Sequence, residues 1–243
     1  MLHIQFPEID DLEQDEVLIL AICLGSEARQ SMIDISELTD DEIERAERFH
    51  FIMDKNRYIA GRTLARKTIR SILKTDSELI FKEGRNKKPE LSVTPSTQFN
   101  ISHSGDWVVV ALTWNAPLGI DVEKLDTAKD FEGLGRRVMT DSEYAQFLDK
   151  KTKQQSELFY SLWVRKEAVL KCMGTGFSLD PRSIEVGHNK QSSREFIQKN
   201  NPIRIIELQQ HLPMTGHKSA LAYEQTGETK NIIVQYCTLL DSR

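Results

Sequence analysis

Two acidic side chains, Asp121 and Glu123, stand one residue apart in a segment that the sequence predicts to be a β-strand. Side chains alternate between the two faces of a strand, so these carboxylates project from the same face. We expect the neighbouring Ile120 and Val122 to point into the core and the carboxylates to occupy the opposite face. Carboxylate oxygens are hard ligands of the kind that Mg²⁺ prefers.

A third carboxylate, Glu167, lies in a strongly helical segment, and Lys171 follows it one turn later on the same helix face. Three carboxylates suit a Mg²⁺ ion that shares its ligand sphere with phosphate oxygens. The further candidates for phosphate contacts carry a cation, an imidazole or a hydroxyl, and they are Lys88, Ser102, His103 and Lys166. The combination predicts Mg²⁺-assisted chemistry on a phosphate ester or pyrophosphate.

Each of these motifs is, alone, also typical of an ordinary soluble protein. An acidic pair is common on a solvated strand edge, and a histidine between serines usually satisfies local hydrogen bonds. Trp163 shares one helix side with apolar residues, which favours a packing role. Four arginines of the first predicted helices fit a solvated surface by pattern alone: Arg45, Arg48, Arg57 and Arg62. The functional interpretation therefore depends on the motifs taken together.

The composition restricts the class of protein. A net charge of −5 over 243 residues argues against a general nucleic-acid binder. The apolar runs are too short to span a membrane, and the acidic N-terminal segment does not have the pattern of a signal peptide. Three cysteines without a CxxC pair are typical of reduced thiols in the cytosol. We expect a cytoplasmic protein with neither nucleic acid nor membrane as its partner.

A faint internal duplication predicts the fold. Thr39 and Glu42 match a capping box, in which a threonine and a glutamate satisfy each other's amides at a helix start, and so do Thr140 and Glu143. A long helical stretch follows each box. We expect an α+β fold of two similar halves, 1–115 and 116–243, each with a small antiparallel sheet packed by a long helix. The second half carries the carboxylates, and one chain with both halves should work as a monomer.

The polar stretch Gly187–Asn201 is rich in turn-forming residues and predicts an exposed loop. The segments after it alternate or are continuously apolar, which predicts late strands near 203–208, 219–223 and 231–239.

The order of the motifs resembles the 4′-phosphopantetheinyl transferase superfamily, in its two-domain group typified by the surfactin-synthetase activator. The resemblance covers about residues 40–180. It is carried by these segments, in chain order: Arg48-Phe49 with Arg57, Asn86-Lys87-Lys88-Pro89, Phe99–Ser104, Gly119–Glu123 and Trp163–Lys171.

The resemblance implies transfer of phosphopantetheine from coenzyme A to a serine of an apo acyl- or peptidyl-carrier protein, with release of adenosine 3′,5′-bisphosphate. It implies that Asp121, Glu123 and Glu167 hold Mg²⁺, and that Glu167, directly or through a water on the metal, removes the proton of the serine. Lys171 would neutralise the pyrophosphate. The other implied coenzyme A contacts are Ser102 and His103 on phosphate oxygens, Lys88 near the adenosine, and Arg45 and Arg57 on the 3′-phosphate.

Two positions depart from the family pattern. A basic residue found one turn before Arg45 in related chains falls at Glu42 here, and Val164 stands where a small polar residue is frequent. Neither departure touches the three carboxylates. We therefore expect activity to persist, with an altered affinity for coenzyme A.

Two other classes of function use the same residues. A Mg²⁺-dependent phosphohydrolase acting on a nucleotide or coenzyme A pyrophosphate would need the carboxylates but no carrier protein. A non-catalytic module that binds coenzyme A or a carrier would keep the fold without the chemistry. The complete carboxylate set argues against the second.

Overall fold

The computed structural model describes residues 1–84, 88–91, 96–187, 193–198, 201–225, 227 and 230–241. The helices are α1 (Asp40–Glu47), α2 (Ile52–Leu73), α3 (Phe131–Val138), α4 (Asp141–Leu148) and α5 (Thr152–Met173). The strands are β1 (Leu2–Gln5), β2 (Glu16–Cys23), β3 (Phe81–Glu83), β4 (Pro89–Leu91), β5 (Thr97–Ser104), β6 (Trp107–Trp114), β7 (Leu118–Lys124), β8 (Ser193–Gln198), β9 (Asn201–Glu207), β10 (His217–Glu224) and β11 (Asn231–Asp241).

The chain divides into two compact units. Unit 1 comprises Met1–Lys82, Pro89–Asn115 and Lys230–Arg243, and unit 2 comprises Glu83–Lys88 and Ala116–Thr229. Both units combine helices with β-sheet, which confirms the predicted α+β class.

Unit 1 contains a five-stranded sheet in the order β1-β11-β2-β6-β5, with α2 packed on β5 and β6. The central strands are apolar along most of their length, and Val17 to Ile22 of β2 are all buried. A continuous apolar strand of this kind is typical of a sheet that is covered on both faces. The helix contributes Ile59, Leu64 and Ile69 to the core of the unit.

The last strand corrects two predictions. β11 pairs with β2 in parallel, from Asn231 opposite Glu16 to Cys237 opposite Ile22, so the first sheet is mixed rather than antiparallel. The same strand places residues 230–243 in unit 1, whereas the predicted second half runs from 116 to 243. The physical reason is that β11 completes the first sheet between β1 and β2, a long-range pairing that local sequence patterns do not encode.

Unit 2 contains an antiparallel sheet in the order β7-β10-β9-β8. The 22-residue helix α5 packs across β7, β10 and β9. Buried residues of α5, among them Ala168 and Leu170, form one core with Ala220 and Ala222 of β10. Gly174 ends the helix in the left-handed conformation, at φ +64°, which glycine adopts without strain. This sheet and helix position the predicted carboxylates.

Both predicted capping boxes are present in the structure. Thr39 accepts from the amide of Glu42 and starts α1, and Thr140 accepts from the amide of Glu143 and starts α4; each glutamate carboxylate in turn accepts from the threonine amide. In each unit the capped short helix precedes a 22-residue helix. This matching order is compatible with an internal duplication.

The expectation of a loop over Gly187–Asn201 is wrong where the structure describes that stretch. Residues 193–198 form β8, which pairs with β9 as an antiparallel edge strand. Edge strands often carry polar and charged residues, so alternation of apolar residues does not predict them. Within the described residues, no helix has the length and apolar content that a membrane crossing needs.

Candidate active site

The predicted acidic pair lies on the face of β7 that is covered by helix α5. A Cβ atom added to Gly119 would lie 2.2 Å from the carbonyl oxygen of Ala168, so positions 119, 121 and 123 all face the helix. Asp121 is only 4% exposed, and it pairs across the sheet with Ala220. Predicting the carboxylates on the face opposite the core was therefore wrong.

The reason for the error is that β7 is buried on both of its faces. Ile120 and Val122 are 0% and 1% exposed, although they lie on the other side of the strand from Asp121. Apolar alternation shows that two faces differ in polarity, but it does not show which face a helix covers.

Helix α5 brings Glu167 and Lys171 to the same place. The Lys171 ammonium donates to Asp121 Oδ1 at 2.6 Å and to the Ile120 carbonyl oxygen at 3.2 Å. Glu167 Oε1 is buried and has no hydrogen-bond partner among the described residues. An unsatisfied buried carboxylate oxygen is rare in proteins, because the group loses its hydration without replacing it.

The environment of Glu167 changes its acidity. The pKa of the Glu167 carboxyl is raised to about 7, mainly by burial, with Lys171 acting in the opposite direction and the negative charges of Asp121 and Glu123 adding to the increase. A carboxyl with such a pKa takes up and gives up a proton near neutral pH, as a general base must.

Trp163 positions Glu123, the remaining carboxylate of the acidic site. Its indole Nε1 donates to Glu123 Oε1 at 3.4 Å, and its ring stacks between those of Phe159 and Phe177. The sequence pattern favoured a packing role for Trp163 and missed this hydrogen bond. The helical spacing of Trp163 and Glu167, four residues apart, was the signal that both face β7.

Lys166 is a structural residue, which corrects its prediction as a phosphate contact. Its ammonium is completely buried, pairs with Glu143 Oε2 at 2.7 Å, and donates to the carbonyl oxygens of Pro181 and Ile184. Burial lowers the pKa of Lys166, while the Glu143 carboxylate opposes that shift. The pair fixes the start of α4 against α5.

The donor chemistry of the acidic site fits a hard divalent cation. Asp121, Glu123 and Glu167 supply carboxylate oxygens only, and one of these oxygens, on Glu167, is buried without a hydrogen bond. Among the described residues, no three Asp, Glu, His or Cys side chains have the spacing of a formed metal site. In this structure the cation beside Asp121 is the Lys171 ammonium.

Unit 1 contains a separate cavity of about 150 Å³ between α1, α2 and β5. It is lined by Arg45, Arg57, Tyr58, Gly61, Arg62, Pro89, Ile101 and His103. Three predicted coenzyme A contacts, Arg45, Arg57 and His103, thus meet at one cavity. Gly61 allows β5 to approach α2, because a Cβ there would come within 2.9 Å of the Ile101 side chain.

Besides Lys171 of the acidic site, two predicted coenzyme A contacts lie outside this lining. Ser102 is 6% exposed and alternates with His103 along β5, so its side chain lies on the other face of the strand. Lys88 belongs to unit 2, where its ammonium donates to the Leu118 carbonyl oxygen at 2.9 Å. The adjacent Asn86 and Lys87 fall outside the described residues.

Comparisons with known proteins identify relatives for both units. Residues 117–223 match the family model of the 4′-phosphopantetheinyl transferase superfamily. Residues 27–115 match a model described as 4′-phosphopantetheinyl transferase, N-terminal.

Among individual relatives, 4′-phosphopantetheinyl transferase Sfp of Bacillus subtilis is 33% identical over 70% of this chain and 76% of its own length. The transferase psf-1 of Bacillus pumilus is 38% identical over 55% of this chain, and the match spans 56% of that protein. The L-aminoadipate-semialdehyde dehydrogenase-phosphopantetheinyl transferase of Xenopus laevis is 29% identical over 65% of this chain and 59% of its own length.

Proposed function

The chain belongs to the 4′-phosphopantetheinyl transferase superfamily, and we propose that it moves the phosphopantetheine arm of coenzyme A onto a serine of an apo acyl- or peptidyl-carrier protein. Adenosine 3′,5′-bisphosphate is the second product. The serine oxygen forms a bond to the phosphorus next to pantetheine, and the bond from that phosphorus to the bridging pyrophosphate oxygen breaks.

The observation that carries the proposal is the environment of Glu167. Its carboxyl is buried beside Asp121 and Glu123, and these surroundings raise its pKa to about 7. A serine hydroxyl is a weak nucleophile until a base accepts its proton, and the proposed base is Glu167, acting directly or through a water on the metal.

The other residues of the acidic site have complementary roles in the proposal. Lys171 neutralises the pyrophosphate, and its bond to Asp121 keeps the ammonium in position. Asp121, Glu123 and Glu167 hold Mg²⁺, which when bound supplies charge neutralisation on the phosphate under attack and on the leaving group. Trp163 fixes Glu123 through its indole hydrogen bond.

The cavity of unit 1 supports recognition of the adenosine end. Arg45 and Arg57 present guanidinium groups that match the geometry of the 3′-phosphate, and His103 adds an imidazole. Ser102 and Lys88 are assigned to phosphate oxygens and to the adenosine end by resemblance alone.

The proposed partners are carrier proteins or carrier domains of fatty-acid, polyketide or nonribosomal-peptide synthesis, with no nucleic acid or membrane involved. We propose a cytoplasmic enzyme that works as a monomer. Sedimentation at assay concentration tests the monomer, and an obligate dimer would contradict it.

Transfer is tested by incubating the protein with coenzyme A, Mg²⁺ and a panel of apo carriers, followed by intact-mass measurement of the carriers. We expect at least one carrier to gain the phosphopantetheine arm. Asp121→Ala should nearly abolish the gain, whereas Glu157→Ala, which removes an exposed carboxylate from the same helix α5, should leave it unchanged.

The same reaction mixtures separate the alternative functions. Free phosphopantetheine formed without a carrier would indicate a hydrolase. Coenzyme A binding without either product would indicate a binding module. Either result would contradict the proposed transfer.

A further inference from the structure

Arg62 is a buried arginine that neither the sequence patterns nor the family resemblance assigned to coenzyme A. It lies on α2, is 9% exposed, and its guanidinium is 5.4 Å from the ring centroids of both Tyr58 and Phe81. Its Nη1 atom is buried and has no hydrogen-bond partner among the described residues, and the same is true of the Tyr58 hydroxyl. Arg62 and Tyr58 are both among the residues that line the cavity of unit 1.

The nearest acidic side chain, Glu42, is held more closely by a different arginine. Glu42 Oε2 is 2.9 Å from Arg66 Nη1, whereas Glu42 Oε1 is 3.5 Å from Arg62 Nε. Arg66 also donates to the carbonyl oxygens of Glu37 and Leu79, which fixes it as a structural residue. Glu42 therefore pairs with both arginines, with the closer contact to Arg66, while the Nη1 atom of Arg62 keeps its hydrogen-bonding capacity unused among the described residues.

The cavity collects further positive charge around Tyr58. The Arg45 guanidinium lies 5.5 Å from the same ring centroid as that of Arg62. Arg57 is held by Asp54 Oδ1 at 2.5 Å and by the Gly105 carbonyl oxygen at 2.8 Å. Like charges this close repel one another in a partly buried site, and a bound dianion relieves that repulsion.

A phosphate monoester is the ligand chemistry that fits this wall. It carries between about −1.5 and −2 charges at neutral pH and three acceptor oxygens, which match arginine forks and a hydroxyl donor. The volume of about 150 Å³ is large enough to hold a phosphate group.

We propose that Arg62 is a direct ligand of the 3′-phosphate of coenzyme A and replaces the cation that related chains carry at the position of Glu42. This inference rests on the proposed function for the identity of its ligand. Position 42 is acidic in this chain, and Arg62 supplies a cation to the cavity from helix α2.

The probes for this site are adenosine 3′,5′-bisphosphate and adenosine 5′-monophosphate, which differ by the 3′-phosphate. Calorimetric titration without metal or carrier should show a clear preference of the wild-type chain for the bisphosphate. Arg62→Gln should reduce that preference roughly 10- to 100-fold and leave the monophosphate affinity within about twofold. Arg62→Lys should keep most of the preference, since it keeps the charge.

Lys67→Gln is the matched control, because it removes a positive charge from α2 at a position outside the cavity wall. We expect its preference to equal that of the wild type. Charge reversal gives a second test: Arg62→Glu should lose the preference for the bisphosphate completely.

Thermal unfolding of each variant establishes that the titrated protein is folded. An unchanged preference in Arg62→Gln, an equal loss for both ligands, or a retained preference in Arg62→Glu would overturn the assignment of Arg62. Carrier loading by the wild type tests the proposed function separately. If the protein loads carriers but its preference for the bisphosphate does not depend on Arg62, only this inference is contradicted. If the preference depends on Arg62 but no carrier is loaded, only the proposed transfer is contradicted.

Discussion

Gly119→Ala should separate strand β7 from helix α5 and so disrupt the acidic site without changing any of its side chains. An added Cβ would lie 2.2 Å from the Ala168 carbonyl oxygen, 2.5 Å from the Cys172 amide nitrogen and 2.8 Å from Lys171 Cβ. Non-bonded atoms are comfortable at about 3.5–4.0 Å, so the overlap with the helix backbone is about an ångström or more.

The magnitude follows from which atoms are in the way. Overpacking usually costs about 1–3 kcal/mol when side chains can rotate aside, but the backbone of α5 has no such freedom. We expect the free energy of unfolding to fall by at least about 3 kcal/mol. For a chain of this size, that corresponds to a decrease in Tm of about 6–12 °C.

Gly61→Ala provides a matched control in helix α2. Its Cβ would lie 2.9 Å from Ile101 Cγ2 and 3.7 Å from Val108 Cγ1, so it would meet side chains and no helix backbone. Alanine also favours a helix interior over glycine by about 1 kcal/mol, which offsets the contact. We expect a Tm within about 3 °C of the wild type for this variant.

Circular dichroism melts and carrier loading measured well below each Tm complete the test. Gly119→Ala should lose most of its transfer activity even where it is folded, because Asp121 and Glu123 move with β7 relative to Glu167. A Gly119→Ala protein that melts within about 2 °C of the wild type would refute the close strand–helix contact on which this reasoning depends.

Two further predictions concern the acidic site and the thiols. Glu167→Gln should stop transfer while coenzyme A binding falls only modestly, whereas Lys171→Ala should weaken binding about one to two decades, as calorimetry can measure; the reverse pattern would contradict both roles. At pH 8, a maleimide should label the exposed Cys23 in the native protein. It should spare Cys172 and Cys237, because burial raises the pKa of each thiol to about 12 and only the thiolate reacts. Labelling of these two should increase as pH rises towards 12, and rapid native labelling of all three at pH 8 would contradict the buried positions.

Local signals predicted the parts of the fold that local interactions determine. The capping boxes at Thr39 and Thr140 mark helix starts because the threonine and glutamate satisfy each other's backbone amides within three residues. The alternation in β7 placed Asp121 and Glu123 on one face, and helical spacing placed Glu167 and Lys171 together. These relations need no knowledge of the rest of the chain.

The features that the sequence did not predict depend on distant partners. The parallel pairing of β11 with β2 joins residues about two hundred positions apart, and no periodicity records it. The sequence pattern of Arg62 and Lys166 is that of exposed basic residues on a helix. In the structure, Arg62 lines the cavity and Lys166 is buried against Glu143. Their burial is decided by which elements pack on α2 and α5.

The position of β11 between β1 and β2 also has a consequence for biosynthesis. Nearly all of unit 2 is one continuous stretch, Ala116–Thr229, so the ribosome releases it before Asn231–Asp241 emerges. The first sheet cannot be completed until β11 has been made, because β11 lies between β1 and β2. Until then the apolar strand β2 has an unpaired edge, which is open to chaperones and to aggregation.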